Sequence, residues 1–225
     1  MTLQSDPTAT AQLPLSARFR EQSRQVHRDA AESTFLAALT DGRLDLAGYA
    51  ALVAQHAAIY QGIERLADGF ADDPVAGAFV FPELYRTPAL TADLAYLHST
   101  GARQTRLMPA TERYVARLAE LTGWPGGFVA HHYVRYLGDL SGGQAIGRSV
   151  ATQYGLTNGG DGLRFYTFDQ VPSPKLFKDR YRELLDTADW DSDEQQRILD
   201  EVDRAFRFNL ELLIDLADEV LPHYS

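Results

Sequence analysis

The 225-residue chain contains no cysteine. That excludes disulfides, a thiolate nucleophile, thiolate-bound metal and a thioether-attached prosthetic group, so any metal must rest on histidine, tyrosine or carboxylate. Lysine is scarce as well: Lys175 and Lys178 are the only two, and 21 basic residues against 31 acidic ones leave a formal net charge of -10. A general nucleic-acid binder is excluded, because phosphate contacts need a basic face. Long apolar runs are missing too. No uncharged stretch approaches the roughly 18 to 20 apolar residues of a membrane-spanning helix, and the opening "MTLQSDPTATAQLPLS" has neither the basic start nor the apolar run of a secretory signal. The expectation is a soluble, cytoplasmic protein, with residues 1–14 a flexible leader and 15–225 one domain. There is no Gly-rich fingerprint after a strand, so flavin or nicotinamide has no site here. There is also no Glu-x-x-His pair, which removes a ferritin-like di-iron bundle.

What is present is helical periodicity. From Leu46, the residues Tyr49, Leu52, Val53, His56, Ile59, Tyr60, Ile63 and Leu66 recur at three and four, the broad face of a helix of about six turns. The same reading covers "ATERYVARLAELT", "KLFKDRYRELLDTA" and "QRILDEVDRAFRFNLELLIDLADEVL", the last preceded by Ser192 and Gln195 at capping-box spacing. Thr87 before Pro88 is a further helix start. Strand-like content is confined to "LRFYTF", Leu163 to Phe168. An all-α, single-domain helical bundle follows.

The stretch "YLGDLSGGQAIGR", Tyr136 to Arg148, carries four glycines. Each interior helical glycine costs roughly 0.5 to 1 kcal/mol against alanine. Gly138 and Gly142 share one helix face, Gly143 and Gly147 repeat the spacing one residue on, and the Gly142-Gly143 pair is a place to bend. Close helix packing explains small residues at that spacing. It does not explain the interleaved Arg135, Asp139, Ser141 and Gln144, because a buried carboxylate needs a partner.

The run "YVRYLGDLSGGQAIGR" resembles the signature of the all-α, biliverdin-producing haem oxygenase family. "RQVHRDAAESTFL", "GLRFYTF", "KLFKDRYRELLD" and "AFRFNLELL" resemble further segments of it, so that the similarity runs from about Arg20 to Leu213. The resemblance implies haem sandwiched between a proximal helix and a glycine-bent distal helix, with His27 as axial iron ligand. The family commonly has a glutamate one turn after that histidine; here the position is Ala31, with Glu32 about 100 degrees round the helix, so a water or backbone carbonyl is expected to orient the imidazole. Of the other histidines, His131 lies about 10 Å along the axis from Gly138, His132 points elsewhere, His56 reads as a core or pocket-edge residue, and His98 and His223 carry no signal.

Lys175, Lys178 and Arg182 fall on one helical face. The resemblance makes Lys178, Arg182, Arg20 and Tyr133 propionate-side residues, and Phe35, Phe206 and Asn209 pocket walls. Bare backbone at Gly138, Gly142 and Gly143 lets the helix lie against the macrocycle, and Asp139, with Tyr60 and Arg135 as partners, holds ordered water that delivers protons as dioxygen is reduced. Haem is then both cofactor and substrate, opened to biliverdin with release of iron and carbon monoxide. Electrons come from a ferredoxin or flavoprotein reductase. A monomer is expected, with no membrane or nucleic-acid partner. The alternatives are a non-catalytic haem carrier or sensor of the same fold, and a helical interaction module.

Overall fold

A computed structural model describes residues 13–31 and 33–224, with the helical backbone alone across 24–31; residues 1–12 of the expected leader lie outside the described residues. The α-helices are α1 (Leu15–Ala31), α2 (Thr34–Thr40), α3 (Leu46–Gly69), α4 (Thr87–Ser99), α5 (Pro109–Glu120), α6 (Pro125–His132), α7 (Gln144–Tyr154), α8 (Pro174–Thr187) and α9 (Ser192–Val220). The described residues contain no strand, and no helix among them is long and apolar enough to cross a membrane.

Helix starts follow local chemistry where a short polar side chain is available. Asp45 accepts the Ala47 and Gly48 N–H groups at 2.8 and 3.0 Å to open α3, and Ser33 caps α2 through Leu36. Two starts differ from expectation. At α9 the cap is Asp191, whose carboxylate accepts from the Glu194 N–H at 2.8 Å. The Ser192–Gln195 box does not form, because the Gln195 amide donates to the Trp190 carbonyl and its oxygen accepts from Arg18. At α4 Thr87 is the first helical residue and not the cap. The N–H groups of Arg86 and Thr87, left without intrahelical partners, donate instead to the buried carboxylate of Glu64 on α3, a long-range cap that no local pattern announces.

The strand-like "LRFYTF" is a 3-10 turn over Arg164–Tyr166. Asp93, fully buried on α4, accepts the Arg164 and Phe165 N–H groups at 3.0 and 2.8 Å. The Arg86 guanidinium donates to the Thr167 carbonyl, and the Tyr49 hydroxyl to that of Gly162. With its backbone groups satisfied by side chains, the segment needs no sheet partner.

The core is aromatic, and its largest buried phenols are hydrogen-bonded. Tyr49, Tyr60, Tyr114, Tyr136 and Tyr181 are among the largest completely buried side chains. Their hydroxyls meet Gly162 O, Asp139, His131, Glu64 and His132 respectively, as burial of a phenol requires. His131 also meets Glu201, which Arg117 binds through two hydrogen bonds. Both histidines of the "HHY" run are therefore structural.

From Pro125 to Tyr154 the backbone is one continuous helix, but its middle is not α. Tyr133–Leu137 and Asp139–Gly143 are two π-helical turns around Gly138. π turns are uncommon and favour functional sites. The second of them contains the Gly142-Gly143 pair, and the Ser141 hydroxyl donates back to the Leu137 carbonyl at 2.7 Å. Gly155, at φ +65°, ends the helix in the left-handed conformation that favours glycine.

Candidate active site

Gly138, Asp139, Gly142 and Gly143 form one wall of a cleft of about 940 Å³, solvent at its opening included. Leu36 of α2, Leu52 and His56 of α3, Phe165 and Tyr166 of the 3-10 turn, and Phe206, Asn209 and Leu213 of α9 form the rest. The glycines divide into two kinds. A Cβ on Gly138 or Gly142 meets nothing within 4 Å, so both face free space. A Cβ on Gly147 would lie 2.7 Å from the Tyr166 ring. Gly147 is bare for packing against Tyr166.

Asp139, Arg135 and Asn209 give the cleft a polar cluster. Asp139 accepts a hydrogen bond from the Tyr60 hydroxyl. The Arg135 guanidinium lies 4.8 Å from the centre of the Tyr60 ring and donates to Asn209 Oδ1 at 2.7 Å. Burial pushes the Asp139 carboxyl up to about 6, against the opposite pull of Arg135, the Tyr60 hydroxyl and Arg86. Burial alone would lower Arg135, yet Tyr60, Asp139 and Tyr114 hold it above the ordinary arginine value. The result is a carboxyl that exchanges protons near neutrality beside a permanent cation. Behind it Tyr136 packs edge-on against Tyr60 and donates to Glu64 at 3.1 Å.

Val134, Gly138 and Phe206 also line a second, adjoining recess of about 550 Å³, with Arg20, Ser23, Tyr133, Ser141, Lys178 and Arg182. Among its described lining residues there is no carboxylate. Burial raises the Tyr133 hydroxyl while Arg182 and Arg20 pull it down, which puts both cations in its field. Lys178 is lowered by burial and by Arg182, and its ammonium donates to Ser141 Oγ at 3.0 Å on the second π turn. Lys175 does not share the recess: it is exposed and pairs with Asp179. Asp179 also pairs with Arg182, whose Nε is buried without a partner, as is that of Arg135.

The structure thus brings together Asp139, Arg135, Asn209, Gly138, Gly142, Gly143 and Phe206 in the cleft, with Tyr60 buried against Asp139, and Arg20, Tyr133, Lys178 and Arg182 in the adjoining recess. Phe35 departs from expectation: it is fully buried in the core, and its neighbour Leu36 faces the cleft. A seven-residue helix offers one narrow inner face, which Phe35 takes toward the core. Helix α1 is fixed at its start, where the Ser16 N–H and hydroxyl donate to Asp186 at 2.8 and 2.7 Å. The side chains of His27 and Ala31, and residue Glu32, lie outside the described residues. Phe165, Tyr166 and Ser141 line the site without having been singled out in the sequence as site residues, and His56 lines the cleft as its pocket-edge reading expects.

An apolar slot with one bare-backbone wall, beside a recess that Arg20, Lys178 and Arg182 line, fits a flat apolar ligand with an anionic rim. A family model described as "Heme oxygenase" matches residues 13–215. "Heme oxygenase 1" of Bos taurus is 34% identical over 215 residues, covering 93% of this chain and 74% of that protein. "Heme oxygenase 1" of Nostoc sp. is 32% identical over 209 residues, covering 92% and 87%. The crystal structure of heme oxygenase-1 from the cyanobacterium Synechocystis sp. in complex with heme superposes with a TM-score of 0.86 at 29% identity, over 94% of this chain and 96% of that one. The heme oxygenase structure from Leptospira interrogans gives 0.81 at 31%, over 89% and 98%.

Proposed function

The chain belongs to the haem oxygenase family, and from that premise we propose that its cleft takes haem as substrate and opens it oxidatively to biliverdin, releasing iron and carbon monoxide. The observation that carries the reading is that the two recesses adjoin through Val134, Gly138 and Phe206. Gly138 and Gly142 leave room against bare backbone, Phe206 and Val134 bound the slot, and Arg20, Lys178 and Arg182 line the adjoining recess, where they would hold the two carboxylates of haem. The buried, unpartnered Nε of Arg182 is a donor awaiting an acceptor.

Bound there, haem supplies the iron at which dioxygen is reduced and the bridging carbon that is oxidised. The chain supplies position and protons. His27, on α1, is the residue we assign to the iron; an imidazole nitrogen suits it. The glycine wall would let backbone approach one face of a bound ring and so limit by contact where a small ligand can lie. Asp139, at about 6, holds or releases a proton at its carboxylate while Tyr60 fixes its orientation and Arg135, anchored by Asn209, keeps a positive charge beside it. Leu36, Phe165 and Leu213 exclude bulk water. A carrier or sensor needs none of this proton-handling apparatus.

The electrons come from a separate ferredoxin or flavoprotein reductase. An acidic donor would dock at the basic recess, where complementary charge speeds encounter and added salt slows it. The reading includes a cytoplasmic monomer, tested by fractionation and sedimentation. For the reaction itself, ferric haem is titrated into the protein and the Soret band followed; reductant and air are then admitted and the product chromatographed. Bilin is expected. A haem complex that survives reduction in air unchanged would leave only the carrier.

A further inference from the structure

His56 is a polar side chain on an otherwise apolar stretch of the cleft. It lies on α3 one helical turn before Tyr60, its ring 6.3 Å from that of Tyr60 and 5.2 Å from that of Phe165. Leu52, one turn earlier on the same face, lines the cleft with it. His131 and His132, by contrast, are tied to tyrosine hydroxyls at 3.1 and 3.0 Å. His56 has no hydrogen-bond partner among the described residues. An imidazole shut in an apolar wall without a partner is costly, and a leucine would fill the same space. One whose nitrogens open onto a cleft escapes that penalty by bonding what occupies it.

Burial and the charge of Arg135 hold His56 well below the ordinary histidine value, so the ring is neutral near pH 7. A neutral imidazole has one N–H donor and one acceptor nitrogen. The polar groups around it are Tyr60 on its own helix and Arg135 and Asp139 across the cleft.

We propose that His56 is a second polar contact of the distal cleft, hydrogen-bonding the water or small anion that sits beside Asp139 on the iron side of the ring. It is a positioning residue. Asp139 exchanges the proton, and His56 holds the water through which the proton passes. The inference rests on the haem reading, and the two fail separately.

The test uses the ferric haem complex and fluoride, a small anion that accepts hydrogen bonds. Three proteins are compared: the unaltered chain, His56→Leu, which keeps volume and removes both nitrogens, and His56→Gln, which restores a donor and an acceptor. Fluoride affinity is expected to fall about fivefold in His56→Leu, the equivalent of one net hydrogen bond, and to return to within about twofold in His56→Gln. The share of supplied electrons recovered as bilin falls in the leucine variant and recovers with glutamine. Equal fluoride affinity in the leucine variant, its Soret band intact, overturns the role of His56 while leaving the haem reading in place. Absence of a Soret band in the unaltered chain overturns both. Should His56→Leu not take up haem, His56→Met, unbranched and apolar, is the comparison.

Discussion

Replacing Asp139 by asparagine should make the haem-free protein more stable above neutrality while abolishing bilin formation. The Asp139 carboxyl stands at about 6 in the folded chain against a reference value of 3.8, about two units higher, because burial outweighs the pull of Arg135, Tyr60 and Arg86. Between those two values the folded protein binds a proton that the unfolded chain has released. Stability from this group is therefore greatest below about pH 4 and is lost as pH rises through about 6. At 1.36 kcal/mol per unit, the ionised carboxylate costs the fold about 2 to 3 kcal/mol at pH 8. Asparagine keeps an acceptor for the Tyr60 hydroxyl and never ionises. Urea unfolding of the two haem-free proteins at pH 4, 6 and 8 should show curves that converge at the acid end and separate by about 2 kcal/mol, asparagine the more stable, at pH 8. Carbon NMR of the carboxyl should report its midpoint directly. A midpoint near 4, or an asparagine variant whose stability tracks the parent at every pH, would refute burial as the dominant influence and with it the picture of a proton donor tuned near neutrality.

Three further outcomes follow from the same geometry. Gly138→Ala and Gly142→Ala meet no atom within 4 Å, so thermal unfolding of the haem-free protein should be unchanged or raised, by up to about 1 kcal/mol, while haem affinity falls; Gly147→Ala, pressed on Tyr166, should instead destabilise by about 1 to 3 kcal/mol. Lys178→Ala removes both a cation in the adjoining recess and the bond to Ser141; haem affinity measured by titration should drop about tenfold or more, and its dependence on salt should weaken. His27→Ala should lose the spectrum of an imidazole-bound iron and regain it with added imidazole, whereas an unaltered spectrum would move the ligand elsewhere.

A long helical period and a dense polar-glycine run are properties of contiguous residues, and those the chain declared by itself. The all-α architecture, the extent of α3 and α9, the absence of any thiol chemistry and the cluster of Asp139 with its glycines are all visible in spacing, because a helix places residues three and four apart on one face whatever surrounds it. Tyr60 and Arg135 could be named as partners of Asp139 only through a family pattern.

Tertiary structure decided everything that depends on what lies opposite. Gly138 and Gly147 look alike in the sequence; one faces open cleft and the other the Tyr166 ring. Lys175 and Lys178 sit three residues apart, yet one pairs in solvent with Asp179 and the other reaches across to Ser141. Glu64 capping α4, Asp93 bending Arg164–Tyr166 into a 3-10 turn, and His56 opening onto the cleft are likewise settled by groups far away in the chain. Local sequence sets which backbone hydrogen bonds a segment is able to make. Which side chain meets a ligand, a charge or a wall is fixed only when distant helices pack, and the position of Asp139 at about 6 is a product of that packing alone.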